Sequence, residues 1–157
     1  MKHYFERDFK RIGHAIRVAR YAEQIGKKEQ GNLAVVLTAS YLYDIGIKEA
    51  EQKHRSTAGR YQEQEGPLVA RELLARLGAR AELIEEVCDI IGHHHPRAEE
   101  SINFKSVYDA NMIANLEEKQ KKDPTGSESM AGIIEKSFLT ERGRDLAKHV
   151  LLKERKG

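Results

Sequence analysis

The chain has 157 residues, enough for one domain with a buried core that needs no stabilising disulfides. With 27 basic and 25 acidic side chains, its formal charge is only +2, so composition gives no reason to expect a nucleic-acid polymer as a partner. No apolar stretch approaches the ~20 residues that span a bilayer, and the first residues form no apolar leader. We therefore expect no membrane association and a cytoplasmic location. The single cysteine, Cys88, fits a reducing compartment and is interpreted as a small core residue.

The residue usage predicts an all-α fold, because Ala, Leu, Glu, Lys and Arg are abundant while alternating β-branched runs are scarce. A first helix is predicted over residues 11–27, with Gly26 near its end. Asn32 is a good N-cap for a second helix, which Gly46 follows. The polar stretch over residues 48–63 is predicted to be a loop with a short helix.

The second half of the chain is also predicted to be helical. Pro67 fits the first turn of a third helix, and Gly78 ends it. Further helices are predicted over residues 81–95, 104–119 and 127–152, the last range holding two. We interpret residues 1–157 as one compact helical domain of about six to seven helices.

Ionisable side chains interrupt the apolar faces of these helices. Residues at i, i+3, i+4 and i+7 share one side of a helix, and by this spacing a His or Asp faces inward from each of four helices. These residues are His14, Asp44, His94 and Asp109. A buried carboxylate is costly unless it is paired or metal-bound, and two carboxylates with two imidazoles are typical ligands of a divalent cation.

Each of these residues also has an ordinary structural interpretation. His14 can be a surface or capping residue, and Asp44 can belong to a helix-ending turn. Asp109 can cap a helix or pair locally with Lys105. Within the run of residues 93–95, at least one histidine is expected to be exposed.

The order and spacing of four segments resemble the HD superfamily of metal-dependent phosphohydrolases. The segments are His14-Ala15-Ile16-Arg17, Leu42-Tyr43-Asp44-Ile45-Gly46, Val87 to His95, and Val107-Tyr108-Asp109-Ala110. The resemblance spans about residues 10–118. It implies a helical fold around one or two divalent metals, with phosphate esters such as nucleotides as substrates. It further implies His14, Asp44 and Asp109 as metal ligands, Asp44 beside the nucleophilic water, and His94 as acid or base.

Two departures from the family pattern bear on the metal. Tyr43 stands where the family has the histidine of its dyad, and a neutral phenol is a poor ligand with an unperturbed pKa of about 10. Tyr43 can instead bind Fe³⁺ as phenolate, donate to a phosphate, or mark lost catalysis, while His94 or His93 can act as a substitute ligand. Residues 63–71 contain no His, which favours a mononuclear site for Mn, Mg, Fe, Ni or Zn.

The leading functional interpretation is therefore a metal-dependent phosphohydrolase acting on a nucleotide or another small phosphorylated compound. Arg17, Lys48 and His54 are the candidate substrate-binding residues, since each can donate to a phosphate. The alternative is a catalytically impaired HD-fold module that binds or senses a nucleotide or a protein partner, and Tyr43 favours it. A non-haem diiron oxygenase is a weaker interpretation. The sequence leaves a homodimer open.

Overall fold

The computed structural model describes residues 9–56 and 58–152, and within these ranges it contains eight helices and no strand. The helices are α1 (Phe9–Lys28), α2 (Leu33–Leu42), α3 (Ile47–His54), α4 (Gly59–Arg76), α5 (Ala81–Ile91), α6 (Ile102–Lys122), α7 (Ser127–Ser137) and α8 (Glu141–Leu151). The predicted all-α class is confirmed. The helix beyond the six to seven predicted is α3, the short helix expected within the polar stretch.

Helices α1, α2 and α6 form the centre of the fold. Helix α1 packs against α2 and α6, α2 packs against α5 and α6, and α8 contacts α6, α7 and α1. Helices α3 and α4 pack on each other, and α4 also packs on α5. The largest fully buried side chains are Phe104, Ile25, Ile45, Ile90, Ile91, Ile113, Met130 and Ile134. No helix in the described part of the chain is long and apolar enough to cross a membrane.

Helix α4 begins at Gly59, well before Pro67, where the sequence predicts its first turn. The main-chain amides of Tyr61 and Gln62 donate to the carbonyl of Ala58, so the helical turns are already closed ahead of the proline. Proline lacks an N–H and costs a helix one internal hydrogen bond. Here packing of the preceding turns on α3 outweighs that cost, and the prediction of the helix start is wrong.

Gly46 lets α3 approach α4 at backbone distance. A Cβ atom added at Gly46 would lie 2.6 Å from the main-chain nitrogen of Gly66 and 2.8 Å from the carbonyl oxygen of Gln62. Neither atom belongs to a side chain that could rotate away. The glycine that follows Asp44 therefore fixes how the chain turns from the end of α2 into α3.

Replacing Gly46 with alanine is expected to lower the free energy of unfolding by about 1 to 3 kcal/mol, because the two backbones must separate. Gly59→Ala is the matched control, since a Cβ there meets nothing within 4 Å. Urea denaturation of both variants measures the difference. Equal stability of the two would contradict the backbone contact.

Candidate functional site

His14 lies at the point where α1, α6 and the end of α2 meet. Its side chain is only 12% exposed. Nε2 lies 3.1 Å from Oδ1 of Asn111 and 3.5 Å from Oδ2 of Asp44, and Nδ1 lies 2.7 Å from Oε2 of Glu118. Both ring nitrogens thus face oxygen atoms, and a ring that donates from both nitrogens satisfies all of these contacts.

His14, Asp44, Asn111 and Glu118 form the His14 cluster. Arg17 extends it by one helical turn along α1. Its guanidinium pairs with the same Glu118 oxygen that contacts His14. The Nε atom of Arg17 is buried and has no hydrogen-bond partner among the described residues. One carboxylate oxygen therefore serves two potential cations, and part of the guanidinium is left without a partner.

Asp44 follows the end of α2 and keeps 29% of its side-chain surface exposed. Burial of the carboxylate by its surroundings raises the pKa of Asp44, while His14, His94 and Arg11 act in the opposite direction. A carboxylate in this setting is stabilised by a neighbouring positive charge. His14, with Nε2 3.5 Å from Oδ2 of Asp44, is a group that can supply one.

Tyr43 and His94 form a stacked pair beside Asp44. Their ring centroids are 4.6 Å apart with an interplanar angle of 22°. Burial is the main cause that raises the pKa of Tyr43 above its ordinary value, and the negative charge of Asp44 adds to it. Burial therefore favours the neutral phenol of Tyr43 when no metal is bound, and its role as a phenolate ligand of Fe³⁺ stays a prediction.

His94 has the one imidazole of the histidine run with a buried, unpartnered nitrogen. Its main-chain amide donates to the carboxylate of Glu63, and its Nε2 has no partner among the described residues. Burial lowers its pKa, so the neutral ring is favoured. His93, by contrast, contacts the carbonyl of Asp89 at 2.7 Å and Glu100 at 2.8 Å. Of the two proposed substitute ligands, the structure leaves only His94 with a free nitrogen.

Asp109 does not join this cluster through its hydrogen bonds. Its carboxylate accepts from the main-chain amides of Leu139 and Thr140, each at 2.9 Å, and from the Thr140 hydroxyl at 2.7 Å. The Thr140 hydroxyl in turn accepts from the amide of Gly143, which caps α8. The fully buried Asp109 thus anchors the turn before α8. Its predicted role as a metal ligand stays a prediction.

Asn111, which the sequence interpretation missed, faces His14 instead. Two residues along a helix differ by about 200° in direction, so Asn111 and Asp109 lie on opposite sides of α6. Glu118 follows Asn111 by seven residues and reaches the same histidine. The i, i+7 spacing of Asn111 and Glu118 was the sequence signal for this face.

Neither of the other two predicted substrate-binding residues lines the cavities that border His14. Lys48 lines a cavity of about 550 Å³ together with side chains of α3 and α4. His54 contacts Glu65 at 3.0 Å and stacks on Tyr61 with ring centroids 4.1 Å apart. Of the three candidates, only Arg17 lies in the His14 cluster.

Glu65 is almost fully buried, with 4% of its side chain exposed, and pairs with both His54 and Lys53. The hydrogen bonds from these two residues lower the pKa of Glu65. A carboxylate whose folded pKa is lowered stabilises the fold above its unfolded value of about 4.3, and this contribution is lost as the pH falls through the folded value.

We therefore expect the natural protein to be more stable than Glu65→Gln at neutral pH, with the difference shrinking as the pH falls below the unfolded value of about 4.3. Urea denaturation at pH values above and below this value measures it. Glu99→Gln is the control, because it makes the same chemical change at an exposed position. A stability gap that stays constant with pH would contradict the assigned pairing.

The donor set around His14 fits a resident divalent metal poorly. Within residues 9–56 and 58–152, no group of three or more His, Cys, Asp or Glu side chains is arranged to hold a metal ion. The cluster contributes one carboxylate from Asp44, while Asn111 and Tyr43 are uncharged. The second carboxylate, Glu118, is already bound to Nδ1 of His14 and to Arg17.

Comparison with known proteins agrees with this fold. No curated protein matches the sequence. The crystal structure of a predicted HD superfamily hydrolase from an uncultured Thermotogales bacterium is similar, with 24% identity and a TM-score of 0.66 over 95% of this chain and 79% of that chain. At this identity the similarity shows the fold. The sequence matches the HD domain family over residues 11–136, and the chain therefore belongs to that family.

Proposed function

We propose that this chain is an HD-fold module that binds a small phosphorylated compound at the His14 cluster, without a resident divalent metal. The observation that carries the proposal is the set of contacts of His14. Both of its ring nitrogens are engaged, by Asp44 and Asn111 on one side and by Glu118 on the other. Positive charge from side chains then takes the place that a metal would have in balancing Asp44.

The His14 cluster is suited to binding a phosphate group. Cavities of about 520 Å³ and 210 Å³ both border His14, and basic residues line them. These residues are Lys10, Arg11, Arg17, Lys121 and Lys122. A guanidinium can hold two phosphate oxygens at once, and the unpartnered Nε of Arg17 leaves that capacity partly unused.

In this proposal the residues of the cluster have separate tasks. Arg17 donates to phosphate oxygens, and Nδ1 of His14 does so once Glu118 has moved away from it. Asp44 orients the His14 ring through Nε2. Asn111 holds the same nitrogen and adds no charge. Tyr43 packs against the ring of His94.

A second function, metal-dependent hydrolysis of a phosphate ester, is favoured by one specific observation. The buried Nε2 of His94 has no partner in the described residues, and its ring is near enough to Asp44 for their charges to interact. This nitrogen is therefore available to coordinate a metal ion. Hydrolysis is the activity that the family resemblance implies, with a metal supplying the activated water.

The experiment that separates the two functions measures thermal stability and phosphate release with the same compounds. AMP, GTP, glucose 6-phosphate and inorganic pyrophosphate are tested in EDTA and again in Mn²⁺. We expect at least one of them to raise Tm in EDTA without phosphate release, and His14→Ala to abolish the shift. His149→Ala, at an exposed histidine of α8, is the matched control.

Two results would overturn the binding proposal. Phosphate release that requires Mn²⁺ and disappears in Asp44→Ala would establish the hydrolase in its place. A panel in which no compound changes Tm and none is hydrolysed would contradict both functions.

A further inference from the structure

The cavity of about 520 Å³ lies between the start of α1 and the end of α6, next to His14. Its lining includes Phe9, Lys10, Gly13, Arg17, Lys121 and Lys122. The volume is in the range of small-molecule sites. Phe9 is 79% exposed, and a Cβ built on Gly13 meets nothing within 4 Å, so no described residue covers this part of the cavity mouth.

The charge of this cavity is strongly unbalanced. Among the described residues that line it, four have basic side chains and only Glu118 has a carboxylate. Lys10, Lys121 and Lys122 are exposed, and none of them is in an ion pair within the described part of the chain. Clustered cations of this kind attract a ligand that carries several negative charges.

A ligand that enters this cavity would meet Glu118 before it reached His14 and Arg17. Its Oε2 atom lies 2.7 Å from Nδ1 of His14 and also pairs with the guanidinium of Arg17. The Glu118 side chain is 38% exposed, so it has room to rotate toward solvent. Arg17 has in addition its buried, unpartnered Nε.

We propose that this cavity binds a ligand with linked phosphate groups, and that Glu118 occupies the position of one phosphate in the free protein. The inference rests on the proposed function and names the ligand class. An incoming phosphate brings the same acceptor chemistry as the carboxylate, but more charge and more oxygens. Glu118 must leave Arg17 for it to bind, because two anions cannot share that guanidinium without repulsion. The exposed lysines of the mouth hold the second phosphate.

Isothermal titration calorimetry with inorganic pyrophosphate in EDTA tests the inference. We expect Glu118→Gln to bind pyrophosphate about tenfold more tightly than the natural protein, because the competing charge is gone. Glu99→Gln makes the same change in net charge at an exposed position outside the cavity, and we expect it to leave the affinity unchanged. Glu118→Gln binding with unchanged or lower affinity would overturn the inference.

A second variant decides the question if Glu118→Gln does not fold. Lys121→Ala combined with Lys122→Ala changes only exposed side chains, and we expect it to weaken pyrophosphate binding about tenfold. Inorganic phosphate, which has no second group to place, should bind more weakly than pyrophosphate and lose less affinity in this variant. An unchanged affinity for pyrophosphate in the double lysine variant would overturn the inference.

The failure of this inference is distinguishable from failure of the proposed function. If another phosphorylated compound raises Tm in a way that depends on His14, while the affinity for pyrophosphate is unchanged in the Glu118 and lysine variants, only the inference fails. If no compound of the panel binds in EDTA, both fail.

Discussion

The double substitution Tyr43→His with Asn111→Asp is expected to give the chain a divalent metal site. Asn111 already places its Oδ1 atom 3.1 Å from Nε2 of His14, so the aspartate substitution adds a second carboxylate where the first ligands meet. The histidine substitution replaces a buried neutral phenol next to Asp44 with an imidazole. Metal affinity depends on ligand number and on the groups that orient the ligands, so we expect the affinity for Mn²⁺ to rise about a hundredfold or more.

Calorimetric titration with Mn²⁺, together with metal content after dialysis, measures this gain. Tyr43→Phe with Asn111→Asp is the control that adds the carboxylate without the imidazole. Stoichiometric metal in the natural protein would contradict the poor fit described above. A double variant that gains no affinity would show that the cluster lacks the geometry of a metal site whatever its donors.

Asp109→Ala is expected to lower the free energy of unfolding by about 3 to 4 kcal/mol, equally with and without divalent metal. The substitution removes the acceptor for two main-chain amides and one hydroxyl in a buried turn. Each donor left without a partner is still buried away from water, and this loss of hydration destabilises the folded state. Urea denaturation with and without Mn²⁺ measures both parts of the expectation.

Thr140→Val is the control for Asp109→Ala, because it removes the hydroxyl and leaves both amide bonds to Asp109. We expect it to cost less, about 1 to 2 kcal/mol, including the lost cap on the Gly143 amide. Stabilisation by Mn²⁺ that depends on Asp109 would establish the metal-ligand role predicted from the sequence. A loss below about 1 kcal/mol would contradict the anchoring role.

The helical class could be predicted because the apolar periodicity of each segment is a local property. The family could be predicted because short motifs around His14 and Asp44 keep their order and spacing along the chain. The start of α4 could not, because Pro67 is a strong local signal and the packing that overrides it comes from α3. Whether a residue such as Pro67 ends or merely bends a helix depends on contacts that its own segment does not encode.

The site was predictable in part for a related reason. The structure brings His14 and Asp44 within 3.5 Å of each other, although their role as metal ligands stays a prediction. The family resemblance implies Asp109 as a metal ligand, and that role stays a prediction. Its actual partners include main-chain amides 30 and 31 residues later, which no side-chain pattern reveals. Asn111 is not predicted by a search for ionisable side chains, because an amide carries no charge.

Helix α6 presents Asn111 to His14 on one side and Asp109 to the start of α8 on the other. An inserted or deleted residue between them would rotate one side chain by about 100° relative to the other. Either the contact of Asn111 with the His14 cluster or the contact of Asp109 with the start of α8 would then be lost. This stretch of α6 is therefore closed to changes in length, and evolution can alter the site only by exchanging side chains in place.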